Sequence, residues 1–210
     1  IASSPVIHPD RIDLTVAAVR WQSDGRDYNG VCSTMLTDLM PVGESVDMFM
    51  VPNKRFRLPE DPDTTTIMIG PGTGSAPFIA FLDERRAREA KGENWLFFGD
   101  RNEATDFIYE GRLKALQADG YLHHLHTAFS RDGDEKVYVH HRMREEGAAL
   151  FGAMEQGAVL YLCGDAKRMA PDVEAALLEI IAEHGGVSEK DAERYLSDMR
   201  RSGRYLKDVY

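Results

Sequence analysis

Between residues 64 and 184 of this 210-residue chain, short apolar runs alternate with longer amphipathic stretches, and no other feature restricts the fold as strongly. The runs "TIMIG", "NWLFFG", "HLHTAFS" and "AVLYLCG" have the length of strands, and most are apolar throughout, as strands covered on both faces are. Helical patterns follow them at Pro77–Lys91, around Tyr109–Asp119, near His140–Glu155 and at Lys167–His184. Strand and helix in alternation predict a parallel sheet with helices on both faces, the doubly wound α/β architecture that binds nucleotides.

The residues before this block follow a different pattern. Short β-type runs, Ile12–Val19 and Val46–Val51, flank turn residues and one helix-like piece at Ser33–Leu39. The stretch "RLPEDPDTTT" reads as a connector, which divides the chain into residues 1–62, a small incomplete β-rich unit, and residues 63–210. The opening "IASSPV" reads like the middle of a strand and turn, so a longer polypeptide is expected upstream.

Composition narrows the function. A net charge of −10 disfavours a nucleic acid or an anionic membrane as the main partner, because phosphate surfaces need a basic field. Two distant cysteines, Cys32 and Cys163, fit a reducing, cytoplasmic setting rather than a disulfide framework. No apolar run approaches the ~20 residues that span a bilayer. His123, His124 and His126 lie close in sequence, but neighbours on a strand face opposite ways and no thiol or carboxylate completes a ligand set, so no metal site is expected. His140 and His141 open a helix and are expected to be solvated.

Three stretches carry chemistry. In "IMIGPGTGSAPF", Gly70, Gly72 and Gly74 separate a buried strand from a helix, where bare backbone and a helix N-terminus can approach a pyrophosphate. The same glycines also suit a plain tight turn. In "FSRDGDEKVYV", Ser130, Arg131, Lys136 and Tyr138 offer a hydroxyl, two cations and a ring where an NAD enzyme would place an acid for the ribose, a set suited to a 2′-phosphate and an adenine. Asp132, Asp134 and Glu135 leave a solvated charged turn open as well. In "LYLCGDAKRMAPDV", Cys163 ends an apolar strand beside Gly164 and Asp165, and serves equally as a small core residue or as a site residue.

In this order, "GPGTGSAPF", "NWLFFGDR", "FSRD" with "EKVYV", "CGDAKRMAPDV" and "GRYLKDVY" resemble the C-terminal half of the diflavin branch of the ferredoxin–NADP reductase superfamily. Within that branch the resemblance is to the flavoprotein subunits of NADPH-dependent sulfite reductases. "LLEIIAEHGG" and the "DVY" ending favour them over the microsomal cytochrome reductases.

The resemblance implies an NADP-binding domain preceded by part of an antiparallel β-barrel that binds FAD, with an FMN-binding domain further upstream. It implies that Gly72 and Thr73 meet the pyrophosphate and nicotinamide region, and that Ser130, Arg131, Lys136, Val137, Tyr138, Val139, His140 and Asp172 hold the adenosine end. His140 stands where the family commonly has glutamine. Gly30, Val31, Cys32 and Ser33 would hold the FAD pyrophosphate, with Thr15, Val16, Ala17 and Trp21 lining the flavin site. Cys163 and Asp208 would flank the transferred hydride, supported by Asp165, and the terminal Tyr210 would stack on the flavin. The implied activity is NADPH-to-FAD hydride transfer, then electron passage through FMN to a haem-containing sulfite-reducing partner in the cytoplasm. A cytochrome reductase, a fused reductase module and a non-catalytic nucleotide-binding domain are the other readings.

Overall fold

The computed structural model describes residues 1–210. Two strands open it, β1 (Arg20–Ser23) and β2 (Arg26–Asn29), paired antiparallel about Asp24 and Gly25. Both turn residues have positive φ, the conformation that an Asp-Gly hairpin turn requires. A helical segment follows, α1 (Val31–Thr34) running into a π-helical turn at Met35–Leu39, in agreement with the helix expected there.

The strands expected at Ile12–Val19 and Val46–Val51 do not form. Apart from the hairpin, these residues meet no second strand, and β propensity without a ladder partner leaves backbone groups to water. Met48, Phe49, Met50 and Val51 are accordingly exposed.

The second part carries β3 (Thr66–Ile69), α2 (Ala76–Ala87), β4 (Asn94–Asp100), α3 (Glu103–Asp106), α4 (Glu110–Ala118) and β5 (His124–Phe129). It continues through α5 (Val139–Glu145), α6 (Gly147–Glu155), β6 (Val159–Gly164), α7 (Met169–Gly185), α8 (Glu189–Arg201) and β7 (Tyr205–Val209). Five parallel strands lie in the order β5-β4-β3-β6-β7. One face buries Ile67, Phe97, Leu160 and Leu162 against α5, α6, α7 and α8, while the other buries Met68, Phe98 and Tyr161 against Phe78, Ile79 and Leu82 of α2 and Leu113 of α4. The expected doubly wound sheet is therefore present. It has one strand, β7, and two helices, the short α3 and α8, that periodicity did not reveal. No helix is long and apolar enough to cross a membrane.

Phe56 packs into the core of the second part, and three side-chain hydrogen bonds also join the two parts. Ser4 Oγ donates to Glu84 of α2 at 3.0 Å, the Thr15 hydroxyl bonds the Tyr109 hydroxyl, and the buried Tyr161 hydroxyl donates to the Arg57 carbonyl at 2.7 Å.

Candidate functional site

From β3 the chain moves outward to β4 and β5, then returns to the other side of β3 for β6 and β7. The switch point thus lies between β3 and β6, and ligands of open α/β sheets bind beyond the carboxyl ends of the strands at such a point. The turn after β3 and the turn after β6 meet there. Gly72 has φ +54°, a left-handed conformation that side chains resist. Gly74 passes so near β6 that a Cβ would stand 2.2 Å from the Cys163 carbonyl oxygen. A short 3₁₀ turn, Gly72–Ser75, then delivers the chain into α2, with Pro77 in its first turn.

A cleft of about 560 Å³ opens over these turns. Its floor includes Gly72, Thr73 and Gly164, and its walls include Ser130, Tyr138, His140 and Asp172. This is the size of a small-molecule or cofactor site. Tyr138 and His140 present nearly parallel rings with centroids 5.7 Å apart, and His140 faces Asp172 at 4.0 Å. Contrary to expectation His140 is not solvated, since its side chain is only 13% exposed. Burial holds its pKa below the ordinary range, and the neighbouring His141 adds to the effect. His141 instead accepts the Tyr138 N–H at 3.1 Å and so fastens the start of α5.

The loop from Ser130 to Tyr138 begins and ends on the cleft, and it carries Arg131 and Lys136, both exposed. Asp132, the acid beside Arg131, accepts from the Asn102 side chain at 2.9 Å and the Glu103 N–H at 2.7 Å. That carboxylate therefore anchors the start of α3.

Tyr210 closes the opposite side. Its N–H donates to the Gly164 carbonyl at 3.1 Å and its carbonyl accepts from Ala166 at 3.0 Å, which extends the β6–β7 pairing to the final residue. The ring is 69% exposed, so packing in the core does not account for it. Its hydroxyl meets that of Thr73 at 2.9 Å, across the mouth of the cleft.

Cys163 lies beneath rather than on the cleft wall and is 3% exposed. Burial pushes its thiol up to about 12, and Asp208, its register partner on β7, pushes the same way. The side chain is therefore a neutral thiol at ordinary pH. Asp165 lines the cleft, but its carboxylate accepts from the Arg168 N–H at 2.6 Å and the Met169 N–H at 3.2 Å, bonds that hold its pKa low. It shapes the entry into α7, and no hydrogen bond joins it to Cys163.

Residues 68–175, running from β3 into α7 and spanning the cleft, match the oxidoreductase NAD-binding domain. The chain belongs to that family. The whole chain is also similar to sulfite reductase (NADPH) flavoprotein alpha-components, 47% identical to that of Bacillus subtilis, 48% to that of Mannheimia succiniciproducens and 47% to that of Escherichia coli K12. Each match covers 100% of this chain and 35% of the relative, so the chain spans about a third of the length of the curated relatives it matches.

Of the residues singled out from sequence, the fold gathers Gly72, Thr73, Ser130, Tyr138, Val139, His140, Asp165 and Asp172 of this oxidoreductase domain, with Tyr210 from beyond it, around one cleft. Arg131, Lys136 and Val137 sit on its bordering loop, and Cys163 and Asp208 pair beneath it. The proposed FAD residues lie elsewhere, on the first part. Gly30 caps α1 and its N–H donates to Val19 at 2.8 Å; Ser33 Oγ accepts the Val19 N–H at 3.1 Å. Val31 and Cys32 are exposed, as are Val16 and Ala17 in the run leading to this turn, and Trp21 stacks on Tyr28 at 5.3 Å. These residues form an open surface around a pinned turn. Asp100, Arg101, Arg168 and Met169 are among the cleft residues that the sequence did not single out. The polar ending of "NWLFFGDR" was the clearest signal for Asp100 and Arg101, because ligands of an open α/β sheet sit beyond the carboxyl ends of its strands.

Proposed function

We propose that this chain is the NADPH-binding portion, with part of the FAD-binding portion, of a flavoprotein reductase that passes electrons through FMN to a sulfite-reducing haemoprotein in the cytoplasm. Residues 1–62 belong to the FAD unit and residues 63–210 to the NADP unit. When bound, the nicotinamide supplies a hydride and the flavin accepts it. The observation that carries this reading is the cleft at the switch point, bordered by a loop with two exposed cations and closed by an aromatic residue that is not part of the core.

Each residue then has a task. The Gly72–Thr73 turn brings bare backbone to the pyrophosphate. Arg131, Lys136 and Ser130 receive the 2′-phosphate, while the Tyr138 and His140 rings present a stacking face to adenine. Cys163 offers an uncharged thiol and Asp208 a carboxylate next to the hydride path. Tyr210 covers the place that the nicotinamide must enter.

The test uses the full-length protein with its flavins. Arg131→Ala should weaken NADPH binding by about 10- to 100-fold while NADH changes little, the size of a charge-assisted contact. Cys163→Ala should slow flavin reduction and leave nucleotide affinity nearly intact, the pattern of an interaction realised in the transition state. Equal losses for NADPH and NADH remove the 2′-phosphate assignment. An unchanged reduction rate makes Cys163 a packing residue.

A further inference from the structure

Glu174 lies on α7 just past Asp172, on the helix whose first turn lines the cleft. Its Oε1 accepts two hydrogen bonds and forms an ion pair, all with groups that converge from the C-terminal end of the chain. Arg200 of α8 approaches to 2.8 Å, Lys207 of β7 to 2.7 Å, and the Tyr205 hydroxyl of β7 to 3.1 Å. Both cations also stand over the Tyr205 ring, Arg200 at 5.4 Å and Lys207 at 5.9 Å from its centroid. Glu174 is partly buried, with 26% of its side chain exposed. Burial alone would raise its pKa, but Lys207, Arg200 and Tyr205 outweigh that and hold it below the usual carboxylate range, so the group is charged at neutral pH.

The placement matters because of what else β7 carries. Successive side chains of a strand face opposite ways. Tyr205 and Val209 pack on the α7 and α8 face, whereas Leu206 packs on the other face with Cys163. Lys207 therefore points toward Glu174 while Asp208 falls on the side of its partner Cys163. A one-residue slip would reverse every one of these directions. β7 is also an edge strand, paired with β6 alone, and the residue that follows it, Tyr210, carries the ring over the cleft. The Glu174 contacts give β7 a hold on α7 in addition to its pairing with β6.

We propose that Glu174 is a positioning residue for the nicotinamide site: by pinning Tyr205 and Lys207 it holds β7 in register, and with it Asp208 beside Cys163 and Tyr210 over the cleft. This rests on the proposed reading of Tyr210 as a cover that the nicotinamide displaces. Loosening the hold lets the cover leave more easily. In the full-length flavoprotein, Glu174→Gln and, independently, Lys207→Met should each tighten NADP⁺ binding and narrow the NADPH-over-NADH preference by about threefold to tenfold, the size of one partly exposed charge-assisted contact. Tyr210→Ala should move both quantities in the same direction and further. Glu174→Gln placed on Tyr210→Ala should add nothing to either quantity, since its route to the site is then gone. A melting temperature recorded for each variant separates a lost fold from a lost hold, and Lys207→Met serves if Glu174→Gln does not fold. If Tyr210→Ala moves the affinities and neither hold variant does, or if their effects persist without the ring, the role of Glu174 is overturned and the cover stands. If Tyr210→Ala itself changes nothing, the cover falls and this inference falls with it.

Discussion

Residues 1–62 and residues 63–210 have similar stocks of apolar side chains in places, yet they bury them very differently. Five of the 52 buried residues belong to the first part: Ala2, Ser3, Ser4, Thr34 and Phe56. Val31, Leu39, Val42, Phe49 and Val51 of that part are each at least 74% exposed, whereas Phe97, Phe98, Leu160 and Leu162 of the second are fully buried. The difference is not hydrophobicity but partnership. In the second part each strand has a neighbour and each sheet face a helix, so burying one residue helps bury the next. In the first part only the Arg20–Asn29 hairpin finds a partner.

The largest expected effect separates the two parts by stability. Phe97→Ala removes a fully buried ring from the middle of the sheet and should cost about 3–5 kcal/mol, read as a drop in the denaturant midpoint. Val51→Ala, with 79% of its surface already in water, should stay within about 0.5 kcal/mol. Similar costs at the two positions would mean that the first part is packed after all and would end the comparison.

The same contrast explains what could be read from the sequence. β3, β4 and β6 were legible because strands covered on both faces are apolar along most of their length. β7 was not, since "YLKDV" lies at an edge with charged residues on it and resembles an ordinary polar tail. α8 was hidden by its charge, although Ala192, Leu196 and Met199 recur at helical spacing and Ser188 accepts the Asp191 N–H at its start. In the first part, Ile12–Val19 and Val46–Val51 had strand composition, but a strand is a property of two segments and no single-segment pattern shows whether the second exists. The Asp24-Gly25 turn was the better guide there. At the site, the glycine turn and the 130–138 loop were legible because their residue types are unusual for their places. The Glu174 hold was not, because it joins α7, α8 and β7 across long separations in the chain.

A middle-sized effect concerns the peg between the two parts. Tyr161 is fully buried in β6, donates to the Arg57 carbonyl at 2.7 Å and meets Phe56 edge-on at 5.4 Å. Tyr161→Phe keeps the ring and removes the donor, leaving that carbonyl without its partner. The cost should be about 1–2 kcal/mol, with amide exchange quickening around Arg57 and not along β6. Exchange that quickens along β6 instead would show that the hydroxyl serves the sheet rather than the junction.

The smallest effect tests how tightly the second part is closed, through His126, the more buried of the two histidines on β5. His126 of β5 stacks on Phe97 at 4.7 Å, and its Nε2 is buried without a hydrogen-bond partner. Its Nδ1 lies 3.6 Å from Glu146. Burial lowers its pKa from the ordinary 6.5, with His124 and Arg142 acting the same way and Glu146 and Glu145 opposing them. Below pH 6.5 the unfolded chain therefore takes up a proton that the folded chain still refuses, and the unfolded state binds more protons over that window. Stability must then fall as the pH drops from 6.5 toward the lowered native value, and level off below it for this group. His126→Phe keeps a ring against Phe97 and removes both the titration and the orphaned nitrogen. Unfolding measured at about pH 7.5 and about pH 5, the range over which histidine changes charge, should show a shallower loss of stability in the variant. His140, whose pKa is lowered for the same first reason, preserves part of the slope. An unchanged slope in His126→Phe would mean that water reaches His126 in the folded state, and that this edge of the sheet is as open as the first part of the chain.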